Sequence, residues 1–393
     1  MEDEVQLPQD QFDYALRASS PPPPEYPAEQ EPDVFATDSG QSPIDWEERR
    51  WAYLDWVRRN PAQPHLSSVF RELARLEAGG PVYVGLFEAA LDFVDQRQDC
   101  ADFVLHGILR LLYQFGDDPR IPGELLDRAR RTVLAFKYWP DEPGRDSMCT
   151  WTENHQILFA AAGLLAGQLH PDQEFANSHQ KGREKIPVAR ARIQRWLDLR
   201  FRTGFSEWLS NVYYDEDMVA LLSLVDFADD EEIRERATMV LDLLLLDLAQ
   251  HVFKGVFGST HGRANEISKK WARNENTMDV ARLHFGVGCF GSPECMSAAC
   301  FALSRRYRPP AVLHAIACDL AERESEVRQR MGIRIEEAAR WGLGFRDLLG
   351  LLFLGLLLLG ILVLGLLLLG LISLIFFKGL HNRFNDNRVV VHH

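Results

Sequence analysis

Apolar positions recur at helical spacing along most of the chain. The first such stretch starts after Asp45, a residue type that caps helices, and stops at Asn60-Pro61. Similar stretches predict further helices at about 65–78, 84–96, 101–115, 123–137, 154–169, 187–202, 215–228, 230–253, 276–284, 295–305 and 310–327. Because the two-residue alternation of strands is nearly absent, the predicted fold class is all-α.

A looser pattern repeats within these helices. Three segments each carry an aromatic residue, then a polar loop, then another helix, and they start 57 and 49 residues apart: Trp151 to His155, Trp208 to Val212 and Phe257 to His261. Repeated helical hairpins form an open solenoid or close into a toroid, and in both the equivalent loops line one face. We therefore expect residues 46–345 to form a domain of repeated hairpins with polar loop residues collected on one face.

The N-terminal part of the chain has a different composition. Residues 1–45 contain eleven acidic residues, one basic residue, Arg17, and the run Pro21 to Pro24, which together predict a disordered arm. They also account for most of the formal net charge of −14, so the rest of the chain is near −4. No basic stripe stands out, and we expect no nucleic-acid partner. The acidic start after Met1 does not resemble a secretory signal.

The segment 348–377 contains no charged residue. As a helix at about 1.5 Å per residue it reaches about 45 Å, more than the roughly 30 Å hydrocarbon core of a bilayer. The sequence therefore predicts a single-pass transmembrane helix, with the lipid bilayer as a partner and 378–393 as a short polar tail. The side of the membrane on which the helical domain lies stays open. The glycines recur every five residues among leucines, so a low-complexity gene end is the alternative.

The six cysteines are irregularly spaced. Cys289, Cys295 and Cys300 lie close together, but they lack the two-residue step of a paired zinc motif. We interpret the cysteines as mostly buried thiols and predict neither a metal ion nor a cofactor. Nucleotide loops, thiol-protease arrangements and nucleophile elbows are not recognisable in the sequence either.

The first repeated loop carries the most candidate chemistry. Glu153, Asn154 and His155 place an acid, an amide donor and a base in three consecutive positions. Trp139 and Trp151 flank them and are suited to stack on sugar rings. The alternative interpretation is a capped helix start without a catalytic role.

The second and third loops add further candidates for substrate binding. The second contains Asn211, Tyr213 and Tyr214, and the third contains His261 and Arg263. A guanidinium group holds a carboxylate in a bidentate fork, so a loop with both His and Arg is a candidate carboxylate clamp.

At these residues the chain resembles the α/α-toroid polysaccharide lyases of the heparinase and alginate-lyase type. The resemblance covers about residues 120–270 and implies a toroid fold and β-elimination on an acidic, uronate-containing saccharide. It implies that an amide neutralises the uronate carboxylate while a histidine and a tyrosine remove and return protons. Those roles would fall on Asn154, on His155 and on Tyr213 or Tyr214, with Arg263 or Arg202 supplying a cation.

Two other functions remain open at this point. Glycoside hydrolysis would use Glu153 as general acid, with Asp215 or Asp217 as the acid across the site. Acidic residues in the first turn of a helix also suit its dipole, which gives Asp215 and Asp217 a structural interpretation. The third possibility is a non-catalytic helical scaffold at a membrane, whose loops bind a partner.

Overall fold

The structure is a computed structural model that describes residues 45–62, 65, 67–253, 256–270, 275–292, 294–319, 326–330 and 334–337. The chain divides into two compact units, Met1–Gly332 and Ile333–His393. In the second unit the described residues form a short 3-10 helix, Ile335–Glu337.

The described part of the first unit is helical apart from one small hairpin, so the all-α prediction is confirmed. Strands β1, Val252–Phe253, and β2, Val256–Phe257, pair antiparallel. The helices are α1 Trp46–Arg59, α2 Ser68–Glu77, α3 Val84–Asp95, α4 Ala101–Phe115, α5 Gly123–Ala135, α6 Glu153–Leu169, α7 Gly182–Thr203, α8 Tyr214–Phe227, α9 Glu231–His251, α10 Glu266–Lys270, α11 Met278–Phe285, α12 Ser297–Leu303 and α13 Ala311–Cys318.

Local sequence signals explain several helix ends. The Asp45 carboxylate accepts a hydrogen bond from the third backbone N–H of α1, so the predicted cap is confirmed. The helix predicted from 187 begins five residues earlier, at Gly182, with Pro187 in its second turn. Pro187 lies past the first four residues, whose N–H groups have no intrahelical partner, so it costs one hydrogen bond. Packing of α7 against α6 and α9 keeps the helix continuous.

The helices alternate between an inner and an outer set. Among the described helices, α2, α4, α6, α8 and α12 contact one another in a cycle, in which α12 returns to α2 and α4 also touches α8. Helices α1, α3, α5, α7 and α9 pack against the outside of this inner set. Gly167 and Gly182 allow α6 and α7 to approach closely, because a Cβ on Gly167 would lie 2.7 Å from the Gly182 carbonyl oxygen.

The inner helices run in the same direction. The first turns of α4 and α6 are joined by Asp102 and His155, whose Oδ2 and Nδ1 are 2.7 Å apart. The starts of α8 and α12 are joined by Asp215, which accepts from the Ser297 backbone N–H at 2.9 Å. At the other end, Gln114 of α4 donates to the last carbonyl oxygen of α12 at 3.0 Å. The N-terminal ends of these helices therefore lie together.

A buried polar stripe runs along α4 through the apolar core. Its side chains recur every four residues, which puts them on one face of the helix: Asp102, His106, Arg110 and Gln114. His106 lies in the middle, with Nδ1 2.9 Å from the hydroxyl of Ser223 on α8 and Nε2 3.0 Å from the Leu158 carbonyl oxygen on α6. These contacts connect three inner helices within the apolar core of the first unit.

Toward the C-terminal end of α4 the stripe contains a buried ion pair. Arg110 donates to Asp226 Oδ2 at 2.8 Å, and Ser304 donates to the other oxygen at 2.6 Å. Both charged side chains are almost completely buried. An ion pair in such surroundings depends on its hydrogen bonds, because desolvation of the two charges opposes it.

The three repeated loops do not have equivalent positions. The loops that begin at Trp151 and Trp208 lead into the inner helices α6 and α8, as the repeat predicts. The loop after Phe257 leads instead into the short helix α10 and packs on the second loop, where Gly262 N–H donates to the Trp208 carbonyl oxygen at 2.7 Å.

Two predicted segments fall outside the described residues. The acidic arm 1–45 does so except for Asp45, and so does the apolar segment 348–377 with the tail that follows it. Among the residues that are described, no helix combines the length and the apolar character needed to span a membrane. The transmembrane helix at 348–377 stays a prediction.

Candidate functional site

A buried histidine and a buried carboxylate meet where α4 and α6 begin. His155 Nδ1 lies 2.7 Å from Asp102 Oδ2, and the imidazole ring stacks on Phe103 with 4.9 Å between centroids. Burial raises the pKa of Asp102, whereas the adjacent His155 lowers it. Because Asp102 fixes Nδ1 and the ring plane, Nε2 is the nitrogen left for a proton or a ligand. This is the geometry of an oriented base.

Two further side chains that could bind a metal ion lie beside this histidine. A ring nitrogen of His155, the thiol of Cys100 and a carboxylate oxygen of Asp99 all lie within 4.8 Å of one another. Cys100 is half-buried and immediately precedes α4, with a left-handed backbone φ of 69°. Burial raises the pKa of its thiol, and Asp99, Asp102 and Glu216 add to that effect. The thiol is therefore the neutral form in the absence of a cation.

Tyr213 immediately precedes α8 and interacts electrostatically with Cys100. Burial raises the pKa of Tyr213 to about 12, with a lowering contribution from Arg263 and a raising one from Cys100. The Arg263 guanidinium carbon lies 3.5 Å from the centroid of the Tyr213 ring, and the guanidinium also pairs with Glu207. Tyr213 is therefore a protonated hydroxyl held under a cation, which suits a proton donor.

Asn154 lies directly beside the histidine. It is fully buried, and its Oδ1 accepts from the His155 backbone N–H at 2.7 Å and from the Thr152 hydroxyl at 2.5 Å. Its Nδ2 has no hydrogen-bond partner among the described residues. A buried amide donor without a partner is costly, and such groups are frequent where a ligand completes the hydrogen bonding.

The Glu153 carboxylate is used in hydrogen bonds and an ion pair within the fold. One of its oxygens accepts from the Ser206 backbone N–H at 2.7 Å and from the Ser206 hydroxyl at 2.5 Å, and its carboxylate pairs with buried Arg200. These bonds tie the start of α6 to the loop that precedes α8. A carboxylate used in this way is a poor candidate for general acid.

The two tryptophans predicted to stack on sugar rings lie apart. Trp151 is 75% exposed, in the loop just before α6. Trp139 lies under Arg192, whose guanidinium carbon is 3.7 Å from its ring centroid, and lines a cavity of about 230 Å³ whose lining does not include His155. Phe159, which also lines that cavity, has its ring between those of Trp139 and His155 in a chain of aromatic contacts.

Three further predicted binding residues have structural partners. Asn211 donates to Glu275, Tyr214 donates to Asp247 Oδ2 at 3.1 Å, and His261 Nδ1 lies 2.7 Å from the Leu209 carbonyl oxygen. The His261 bond joins the third loop to the second, Glu275 also accepts from the Phe257 backbone N–H at 3.0 Å, and the Tyr214 bond ties the start of α8 to α9. Burial raises the pKa of Tyr214 far above its usual range, which separates it from the more accessible Tyr213.

The acids named for glycoside hydrolysis, Asp215 and Asp217, and the alternative cation, Arg202, have different surroundings. Asp215 accepts from the backbone N–H groups of Met296 and Ser297, both at 2.9 Å, and so stabilises the start of α12. Neither carboxylate oxygen of buried Asp217 has a hydrogen-bond partner among the described residues. Arg202 lies on the surface and pairs with Asp198 at 2.8 Å. Arg263 is therefore the cation that lies near Tyr213.

Sequence reasoning missed the residues that complete the site. Asp99, Cys100 and Asp102 precede or begin α4, more than fifty residues before His155 in the chain. The helix start at 101 was predictable, but its position beside the start of α6 depends on the packing of the inner helices. The four-residue spacing from Asp102 to Gln114 within an apolar helix was the available signal.

Comparison of the chain with protein-family models, with curated proteins and with solved structures finds no match. Function is therefore inferred from the side chains themselves.

Proposed function

We propose that the helical domain is an incomplete α/α toroid that cleaves uronate-containing saccharides by β-elimination, with His155 as the base. The pair of His155 and Asp102 at 2.7 Å carries this proposal, because it places a fixed imidazole at the end of the molecule where the inner helices begin. The cycle of contacts among inner helices, with outer helices packed around it, supports the toroid.

The chemistry follows from the groups near His155. Removal of the proton next to a uronate carboxylate builds negative charge on that group, so donors that face the carboxylate lower the barrier. The unpartnered Nδ2 of Asn154 and the guanidinium of Arg263 are the groups assigned to it. His155 Nε2 accepts the proton, and the Tyr213 hydroxyl donates one to the leaving glycosidic oxygen.

Glycoside hydrolysis has weaker support. It needs one carboxylic acid to protonate the leaving oxygen and a second carboxylate across the site. Glu153, the general acid in that reaction, is occupied by Ser206 and Arg200, and Asp215 by the start of α12. Asp217 has two unpartnered oxygens, but without a free Glu153 it has no second carboxyl group assigned across the site. The scaffold alternative has no role for an oriented histidine beside an unpartnered amide.

The test uses the purified full-length protein and a panel of uronate-containing polysaccharides. Elimination leaves a carbon–carbon double bond that absorbs in the ultraviolet, whereas hydrolysis releases reducing sugar without that absorbance. We expect ultraviolet absorbance to rise with the unmodified protein and to rise about 10²- to 10⁴-fold more slowly with His155→Gln and with Tyr213→Phe.

Tyr113→Phe is the matched control. Tyr113 also has a half-buried ring and a hydroxyl, but its hydroxyl donates to the Leu165 carbonyl oxygen away from the site. That variant should keep the elimination rate. Release of reducing sugar without ultraviolet absorbance would indicate hydrolysis instead of elimination. If the folded protein gives neither signal with any polysaccharide of the panel, both reactions are contradicted.

A further inference from the structure

The side chains around His155 include potential metal ligands in addition to the acid–base pair that His155 forms with Asp102. A carboxylate, a thiol and an imidazole from Asp99, Cys100 and His155 lie within 4.8 Å of one another, at the ends of two helices that pack together. Oxygen, sulfur and nitrogen donors in one cluster are the ligand types that Zn²⁺ takes in proteins.

The spacing is close to that of a zinc site. Ligand atoms at about 2.0–2.3 Å from a tetrahedral zinc ion lie about 3.3–3.8 Å from one another. The separations in the cluster reach this range with side-chain adjustments of about 1 Å. Asp99 is exposed and Cys100 half-buried, so an ion can enter from the solvent side while His155 holds it from the buried side.

His155 has the support that metal-binding histidines usually have. Such a histidine generally donates its other ring N–H to a carboxylate, which fixes its orientation and makes the ligating nitrogen more basic. Asp102 Oδ2 is in that position, 2.7 Å from Nδ1. The other oxygen, Oδ1, is buried without a hydrogen-bond partner among the described residues, so this carboxylate has capacity for more positive charge nearby.

Acidic side chains also surround the thiol. Exposed Asp99 and the buried carboxyl groups of Asp102 and Glu216 interact electrostatically with Cys100. A divalent cation placed among carboxyl groups favours their charged forms.

We propose that Asp99, Cys100 and His155 bind one Zn²⁺ ion, with a fourth coordination position open to solvent. The ion and a substrate proton compete for the same nitrogen, Nε2 of His155. The zinc-bound form therefore lacks the base assigned above, and metal occupancy switches off the elimination. This inhibition depends on the proposed function, whereas binding of the ion does not.

Cys149 is the sharpest control in the chain. It lies next to the cluster, since its backbone N–H donates to Asp99 Oδ1 at 2.9 Å, but its thiol is not one of the three donors. Cys100→Ser and Cys149→Ser make the same small change on neighbouring thiols. Only the first removes a ligand.

The experiment measures metal binding by the full-length protein without substrate. The protein is stripped with a chelator and titrated with Zn²⁺ against a chromophoric competitor, then with Co²⁺ to record the near-ultraviolet band of a cobalt–thiolate bond. We expect one ion per chain and a cobalt–thiolate band. Cys100→Ser should remove the band, whereas Cys149→Ser should keep both the band and the affinity.

Two further variants keep the test valid if Cys100→Ser disturbs folding. Asp99→Asn alters an exposed ligand, and Asp102→Asn alters only the support of His155, which typically costs 10- to 100-fold in metal affinity. Zn²⁺ should also protect Cys100, but not Cys149, from alkylation detected by mass spectrometry. No stoichiometric binding, or a cobalt band that survives Cys100→Ser, would overturn the zinc site.

Activity assays separate this inference from the proposed function. If both hold, added Zn²⁺ inhibits elimination and a chelator restores it. If chelation instead abolishes elimination while the Co²⁺ band remains dependent on Cys100, the zinc site stands and His155 is not the base.

Discussion

The two ends of α4 carry similar chemistry in different surroundings. At the N-terminal end Asp102 meets His155, and at the C-terminal end Arg110 meets Asp226. Both carboxylates are buried and both accept from a side chain that can be positively charged. At the C-terminal end both oxygens of the Asp226 carboxylate have partners, although Nε and Nη2 of Arg110 have none among the described residues. At the N-terminal end the unpartnered atoms include a carboxylate oxygen, Asp102 Oδ1, and the nearby Asn154 Nδ2.

We infer that this difference separates a structural carboxylate from a functional one. A buried carboxylate with partners on both oxygens holds the packed helices in place. A buried carboxylate or amide with an unpartnered atom at a helix start can instead receive a hydrogen bond or a metal ion from a ligand. Substitutions at the two ends should therefore affect different properties.

The largest effect on stability is expected for Asp226→Asn. This change leaves the buried Arg110 guanidinium without a countercharge, and loss of one partner of a buried pair costs about 3 kcal/mol or more. Urea unfolding measures it, with Asp198→Asn as the control. Asp198 pairs with Arg202 on the surface, where such pairs contribute about 1 kcal/mol or less. An equal loss of unfolding free energy in the two variants would show that the buried pair contributes no more to stability than the surface pair.

His106, in the middle of the buried polar stripe on α4, should make the free energy of unfolding depend on pH. Burial lowers the pKa of His106 from 6.5 to about 4, so the unfolded chain takes up this proton near pH 6.5 and the folded chain only near pH 4. Stability is full above pH 6.5 and falls as the pH drops from 6.5 to 4, by about 3 kcal/mol. Unfolding followed across this range should show a shallower slope for His106→Asn; an unchanged slope would assign the loss to other groups.

Asp102→Asn is expected to change stability much less than Asp226→Asn. Burial already opposes the charge of Asp102, and its partner His155 does not require a full negative charge to stay in place, so the free energy of unfolding should change by about 1 kcal/mol or less. The elimination rate should nevertheless fall, and its pH profile should shift, because the amide no longer fixes the tautomer of His155. A large loss of stability with an unaltered pH profile would make Asp102 a structural residue like Asp226.

The smallest effect on stability is expected for Trp151→Ala. The side chain is 75% exposed, so the free energy of unfolding should change by about 0.5 kcal/mol or less. If the indole stacks on a saccharide, the KM for a cleaved substrate should rise about 2- to 10-fold with little change in kcat. Trp51→Ala, at a similarly exposed indole on α1, is the control that should leave KM unchanged.

The helical class and most helix positions were predictable because local patterns determine them. Apolar residues at helical spacing, Asp45 as a cap and Pro61 after α1 act within a few residues of where they stand. Among the predicted site residues, Asn154 and His155 are adjacent, a ring nitrogen of His155 lies within 4.8 Å of the Cys100 thiol, and Arg263 lies over the Tyr213 ring. Other predicted site residues have the residue types that the proposed chemistry needs, but their polar groups form structural hydrogen bonds: Glu153, Asn211, Tyr214 and His261.

Local patterns alone predict the helices, the Asp45 cap of α1 and a histidine at the start of α6. What that histidine contacts depends on tertiary packing, because Asp99, Cys100 and Asp102 lie more than fifty residues earlier and approach it through the parallel packing of α4 and α6. A residue's type gives its chemistry, but its hydrogen-bond partners decide whether that chemistry is available. Those partners are set by contacts between helices, which a pattern within one helix does not specify.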